Sequence, residues 1–173
     1  MESLTARDTH DCKFRKMTST KSKPYHYIGS GLPNVYLIGV EYELCAACDM
    51  QSADIPCLPG LMEAIGKVLV EKSSPLTGDE LRFLRKRLRY ASKMFARLVG
   101  LSDEQYSRLE NGAKVTPTVE RLVRLIYATL AKLPAAASEE VATTTWTASL
   151  NHEERIVATQ DENERWVVQT TAA

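Results

Sequence analysis

The sequence is short of the residues most chemistry needs. Its 173 residues hold three histidines, His10, His26 and His152, each in polar surroundings without a nucleophile motif beside it. No glycine-rich phosphate loop is present. An enzyme has little here to work with, and no catalytic activity is expected. Nor does any apolar run approach the roughly 18 residues of a membrane helix, and the first twenty residues are polar, without a secretory signal core. A cytoplasmic protein with no membrane association is expected. The four cysteines, Cys12, Cys45, Cys48 and Cys57, all lie in the first third. They are too few and too clustered for a disulfide scaffold, and a Cys-x-x-Cys pair in a reducing compartment suits a metal better.

Net charge is missing as well, since 22 basic and 22 acidic side chains cancel. The cancellation hides a segregation. Residues 1–133 carry 20 Lys and Arg against 15 Asp and Glu, whereas residues 134–173 carry only Arg155 and Arg165 against seven acidic side chains. A basic binding body with an acidic appendage follows. The densest basic stretch lies between Leu81 and Leu98, where Arg82, Arg85, Lys86, Arg87, Arg89, Lys93 and Arg97 occur with no acidic residue among them. Solvated helix faces normally mix both signs, so a single-sign run favours phosphate binding, with Arg82, Arg85, Lys86, Arg89 and Arg97 as the phosphate-facing set.

The chain divides into four parts. Residues 1–23 are polar and rich in Ser and Thr, an arm expected to be poorly ordered unless Cys12 ties it down. Residues 24–72 form a small α/β part. In it, "NVYLIGVEYEL" (Asn34 to Leu44) reads as two short strands or one bent strand, and "GLMEAIGKVLVEK" (Gly60 to Lys72) as a connecting helix with Leu61, Ile65, Val68 and Leu69 at helical spacing. Residues 74–133 form a helical domain. Residues 134–173 are an acidic linker and a β tail, in which "TTTWTASL", "RIVATQ" and "RWVVQT" alternate like strands and Asp161-Glu162-Asn163 marks a hairpin loop. That tail is too small to bury a core alone, so it packs on the rest, pairs with another chain or stays partly disordered. The fold class is mainly α with small β parts.

Four helices follow one another in the helical domain. Thr77 caps the first, with Glu80 as capping-box partner and Leu81, Leu84 and Leu88 as its buried stripe. Ser92 is the expected cap of a short second helix holding Phe95, Ala96 and Val99. Gly100 supplies a left-handed turn, Leu101 a core plug, and Ser102 the cap of a third helix ending at Asn111-Gly112. Pro117 and Thr118 open the fourth, with Leu122, Leu125, Ile126 and Leu130 on its apolar face. The tight second-to-third turn is that of a helix-turn-helix. Its outer helix offers Asp103, Glu104, Gln105, Ser107, Arg108 and Asn111 to solvent and anchors through Tyr106 and Leu109. Arg and Gln form paired hydrogen bonds with guanine and adenine in the major groove, which makes Arg108 and Gln105 candidate base readers. Lys93, Glu104, Ser107, Asn111 and Lys114 complete the candidate DNA-binding set.

The stretch "LTGDELRFLRKRLRYASKMFARLVGLSDEQYSRLENGAKVTP" resembles the helix-turn-helix of the lambda-repressor/Cro (XRE) class, the "SRLENG" ending above all. With "YHYIGSGLPNVYLIGVEYELCAACD" upstream, the arrangement resembles MqsA/YgiT-type antitoxins, in which a small zinc-binding domain precedes an XRE domain. The resemblance implies a zinc-ribbon-like N-terminal domain, dimeric binding to palindromic operators in double-stranded DNA, autorepression, and a toxin or other protein partner held by the N-terminal domain. It also implies that Ser107 contacts a phosphate and Arg108 a base. The chain departs from the class at Ser92-Lys93 and at Glu104, where an amide is usual. The rival reading is a partner-binding antitoxin whose DNA binding is secondary.

A structural zinc ion takes four Cys or His ligands, commonly as two close pairs. Cys45-Ala-Ala-Cys48 is one such pair, and a second Cys-x-x-Cys is lacking. The expected set is Cys12, Cys45, Cys48 and Cys57, with His10 or His26 as the alternative fourth ligand.

Overall fold

The computed structural model describes residues 13–134, 141 and 154–172. Its elements in chain order are β1 (Phe14–Thr18), β2 (Tyr25–His26), a 3-10 turn (Ile28–Ser30), β3 (Val35–Leu37), β4 (Glu41–Cys45), β5 (Gln51–Ala53), α1 (Leu58–Glu71), α2 (Gly78–Arg87), α3 (Ser92–Leu98), α4 (Asp103–Glu110), α5 (Pro117–Leu130), β6 (Glu154–Gln160) and β7 (Trp166–Ala172). The "TTTWTASL" strand, Trp146, His152, His10 and Cys12 lie outside the described residues.

Two small sheets form the β part. One has the antiparallel order β1-β4-β5 and the other the order β2-β3-β6-β7. The arm expected over residues 1–23 is thus ordered in its second half, because Phe14 to Thr18 pair with Cys45 to Glu41. Gly39, at φ +82°, splits the "NVYLIGVEYEL" run into β3 and β4, a backbone that only glycine adopts freely. Ser19 carries the β1–β4 pairing one residue further, exchanging hydrogen bonds with the backbone of Val40.

The tail packs on the rest of the chain. β6 runs parallel to β3, with Ile156, Val157 and Ala158 opposite Val35, Tyr36 and Leu37, and β7 returns antiparallel beside it. Asp161 Oδ1 accepts hydrogen bonds from the backbone N–H groups of Asn163 and Arg165, which closes the hairpin at the expected place. Val35, Leu37, Ile156, Ala158 and Trp166 face inward with Leu61, Ile65 and Leu69 of α1, all buried. The Trp166 indole N–H donates to the Pro56 carbonyl at 2.9 Å, so this buried ring leaves no donor unpaired.

A polar network joins the helical domain to this β part. Arg124 of α5 is fully buried. It donates to the carbonyls of Val70, Lys72 and Ser74 at 2.7–2.8 Å and to Glu120 Oε1 at 2.7 Å. Glu120 also accepts from the Leu76 N–H, so one ion pair fixes the end of α1 and the α1–α2 connection. Burial pulls the Arg124 pKa down and the Glu120 hydrogen bond opposes it; a guanidinium stays charged regardless. Beside it Lys72 Nζ donates to both Glu80 carboxylate oxygens at 2.8 Å and lies 3.7 Å from Glu154 of β6. Glu154 in turn accepts from Ser74 Oγ at 2.6 Å. α1, α2, α5 and β6 therefore meet at one joint, which fixes how the helical domain sits on the sheet.

Candidate nucleic-acid interface

α2, α3 and α4 build a surface helix from local signals. Thr77 caps α2 and Ser102 caps α4, each closing a reciprocal capping box with Glu80 and Gln105. The cap of α3 is Ala91 rather than Ser92: its extended backbone precedes the first turn, no side chain satisfies that turn, and Ser92 is already helical. Gly100 at φ +73° makes the turn, with the Leu101 N–H donating to the Ala96 carbonyl at 2.9 Å. Tyr90, Phe95 and Tyr106 pack ring on ring at centroid distances of 5.9 and 5.5 Å, holding α4 against α3 from behind.

The end of α4 is clamped by α2. Arg85 donates from Nε and Nη2 to the two Glu110 carboxylate oxygens at 2.7 and 3.0 Å and from Nη1 to the Tyr90 carbonyl at 2.8 Å. Both partners are buried. The Glu110 hydrogen bond raises the Arg85 pKa against the opposing pull of burial. Tyr106, fully buried beside this pair, has its hydroxyl pKa raised by burial first and Glu110 second, so it stays neutral. Arg82 donates to the Glu110 carbonyl at 2.7 Å, to Asn111 Oδ1 at 3.3 Å and to Asp79 at 2.9 Å. Asn111 Nδ2 donates back to the Ser107 carbonyl at 2.8 Å.

These bonds correct the expected phosphate set. Arg85 is not on a basic face at all, since its charge is neutralised inside, and Arg82 is spent on the α4 terminus. Lys86, Arg89 and Arg97 are exposed. Asn111 is exposed, but both ends of its amide are used in capping α4. Gln105 Oε1 accepts from the Ser102 N–H at 3.0 Å, which commits its acceptor to the capping box. Both buried partners stand on stripe positions, Arg85 four residues after Leu81 and Glu110 four after Tyr106, and that periodicity was the available signal.

The remaining side chains of the candidate set are open to solvent. Lys93, Glu104, Gln105, Ser107, Arg108 and Lys114 are all exposed. Lys93 Nζ lies 3.4 Å from Asp103 Oδ2, an exposed pair of the kind worth at most about 1 kcal/mol and readily exchanged for a phosphate. The Glu104 carboxyl is held below its usual pKa, mainly by a backbone N–H at the helix start, then by Ser102, Arg108 and Lys93. Glu104 therefore presents acceptors only. α4 spans eight residues, about 12 Å, which the major groove of B-DNA admits.

Residues 81–126 match the helix-turn-helix family model. The matched span runs from α2 into α5 and takes in α3, α4 and their turn, which supports an XRE-type helix-turn-helix domain here, of the kind found in DNA-binding regulators. No curated protein and no solved structure matches the chain.

Gly78, the first helical residue of α2, touches the same clamp. A Cβ there would stand 2.7 Å from the Leu109 carbonyl oxygen and 2.8 Å from that of Glu110, both backbone atoms. Gly78→Ala is expected to push α4 outward and cost about 1–3 kcal/mol, as overpacking does. A urea denaturation midpoint equal to the parent's would contradict the contact.

The candidate zinc ligands fall into two places. Cys45 and Cys48 stand at the β4–β5 turn, and Phe14, two residues after Cys12 in the chain, is paired with Cys45. Cys57 precedes α1, where it lines a cleft with Gly60 and Trp166. His26 Nε2 lies 2.7 Å from the Pro33 carbonyl oxygen, and the ring stacks on Tyr36. Among the described residues no three Cys, His, Asp or Glu side chains come together as a metal-ligand group. No helix of the described residues is long and apolar enough to cross a membrane.

Proposed function

We propose that the protein is a sequence-specific transcriptional repressor that binds a palindromic operator as a homodimer, its own promoter included, with α4 of each copy in the major groove. The observation that carries this reading is the outer face of α4, where Arg108 and Ser107 stand exposed while the buried Arg85–Glu110 pair braces the helix from behind. Arg108 is the base reader. Lys93, Lys114, Lys86, Arg89 and Arg97 supply the attraction to phosphates, which makes affinity fall with salt. Glu104 accepts from a cytosine amino group.

Arg108→Ala is expected to lower affinity for the operator by about 5- to 150-fold, the equivalent of one lost base contact, while binding to scrambled DNA changes little. Fluorescence anisotropy at several salt concentrations reads both. Equal losses on both DNAs would make Arg108 a phosphate contact and sink its role as reader.

The N-terminal part is antitoxin-like in this reading and takes a protein partner, a toxin where one is encoded. Phe14 and Met50 support it: both are exposed apolar side chains, and both flank Cys45, one as its strand partner and one through its carbonyl. Zinc at the β4–β5 turn stiffens that surface, held by Cys12, Cys45 and Cys48 with His10 as the fourth ligand. Cys57 is left out of the set because it does not come together with Cys45 and Cys48, and His26 because its Nε2 lies 2.7 Å from the Pro33 carbonyl oxygen. One zinc per chain is expected in purified protein, with Cys48→Ser losing it and melting lower. Metal analysis finding no zinc, together with a melting curve indifferent to chelator, would contradict the site.

A further inference from the structure

The edge strands of a sheet carry unpaired N–H and C=O groups that template pairing with another strand, and proteins blunt them with short strands, charge, proline or bulges. Among the described residues, three of the four sheet edges are blunted in this way. β2 has two residues and β5 three, while β1, of five, carries Arg15 and Lys16. The fourth edge, β7, is left open. It runs seven residues, Trp166–Ala172, without a charged side chain or a proline, and Val and Thr fill four of its positions. Its pairing with β6 is unbroken from Trp166 to Ala172, so no bulge turns it aside.

The groups on that open edge follow from the ladder. The Ile156 N–H donates to the Asn34 carbonyl and the Ala158 carbonyl accepts from the Ile38 N–H, so both residues turn their backbone to β3. Their antiparallel partners on β7, Thr170 and Val168, therefore turn theirs outward, and Trp166 and Ala172 follow by alternation. Among the described residues no backbone group bonds to these four.

We propose that β7 pairs antiparallel with β7 of a second copy of this chain, about a two-fold axis at Gln169, and so joins two four-stranded sheets into one. The strand is its own complement in this register. Trp166 falls opposite Ala172 of the second copy, Val167 opposite Thr171, Val168 opposite Thr170, and Gln169 opposite its counterpart. The residues whose N–H and C=O point outward thus meet one another as the hydrogen-bonded pairs. Buried Trp166 and half-buried Val168 and Thr170 stay on the inner face, while exposed Val167 and Gln169 stay on the outer one. A slip by one residue would set inner side chains against outer ones. No like charges meet across the axis, and the two Gln169 amides supply donor and acceptor to each other.

The helical domain stands on this same sheet through the joint of Arg124, Ser74 and Glu154. Pairing the sheets therefore holds two copies of α4 at one fixed separation, which binding to two half-sites requires. That consequence rests on the repressor reading; the strand pairing does not.

Sedimentation velocity of the 173-residue chain without DNA comes first. The parent is expected to run as a dimer. Thr170→Pro, which removes an outward N–H and none that β6 uses, is expected to run as a monomer. Proline can also unfold a strand, so two variants on the exposed outer face repeat the test: Val167→Lys with Gln169→Lys, and Val167→Glu with Gln169→Glu. Each sets like charges across the axis and is expected to dimerise at least about 10-fold more weakly, and an equal mixture of the two is expected to dimerise as the parent does. A monomeric parent overturns the pairing. A dimer that survives both charge variants also overturns it, since that dimer forms elsewhere. With operator DNA, each charge variant is expected to lose affinity and the mixture to regain it; monomeric variants that bind as the parent does overturn the link to DNA reading. A dimer that obeys the charge test but enriches no DNA motif upholds the pairing and removes the repressor.

Discussion

Glu110→Ala is expected to destabilise the protein by about 3–5 kcal/mol, because it leaves the Arg85 guanidinium buried without its counter-charge. For a chain of this size that is a fall in Tm of roughly 6–20 °C. DNA binding goes with it, since the same pair holds the C-terminal end of α4 to α2. The double replacement Arg85→Met with Glu110→Leu separates charge from packing: an apolar pair of similar bulk removes the unpaired ion, and most of the lost stability returns. Circular dichroism melts of the three proteins decide it. A loss under about 1 kcal/mol in Glu110→Ala would mean that water reaches Arg85, contrary to the burial of both partners.

Arg124→Ala is expected to cost a similar amount, about 3–5 kcal/mol, for a different reason. It removes the donors for three backbone carbonyls, those of Val70, Lys72 and Ser74, and strips the counter-charge from buried Glu120. Arg124→Lys recovers little, because an ammonium cannot spread three bonds across one plane as a guanidinium does. Exposed Lys114→Ala, by contrast, stays within about 0.5 kcal/mol of the parent. Urea denaturation followed by tryptophan fluorescence reads the joint itself, since Trp166 lies in the sheet that Arg124 helps to hold. Midpoints for Arg124→Ala and Lys114→Ala that coincide would remove the joint from the account.

What could be read from the residues was what local chemistry controls. Thr77 and Ser102 cap their helices because a hydroxyl followed three residues later by Glu80 or Gln105 satisfies first-turn N–H groups wherever it occurs. Gly39 and Gly100 break their segments because they sit at positive φ. The hairpin at Asp161 follows from one side chain bonding its own turn. What escaped was decided by partners far away in the chain. The parallel pairing of β6 with β3 joins residues about 120 apart, and nothing in "RIVATQ" names Val35 to Leu37 as its neighbour. β1 escaped within a polar arm because its exposed Phe14, Arg15 and Lys16 show no apolar alternation, and its order comes from the β4 backbone.

The site shows the same division. Exposure of Lys93, Glu104, Ser107 and Arg108 followed from helical phase alone. The basic run misled at Arg82 and Arg85, where composition counts a charge without knowing that Glu110 or a helix terminus consumes it. Phase held the correction, since Arg85 sits four residues after Leu81. In the metal region Cys45 and Cys48 stand at the β4–β5 turn, exposed Cys57 does not come together with them, and the His26 ring stacks on Tyr36.

The most direct measurement is enrichment of a random double-stranded DNA library on the 173-residue chain, followed by salt titrations of the enriched and scrambled sequences with the parent and Arg108→Ala. The account predicts a two-fold symmetric motif with half-sites about one helical turn apart, at least about 10³-fold preference for it, and a preference that collapses in the variant. A library that gains no motif, with equal weak binding to every sequence, would contradict a sequence-reading repressor.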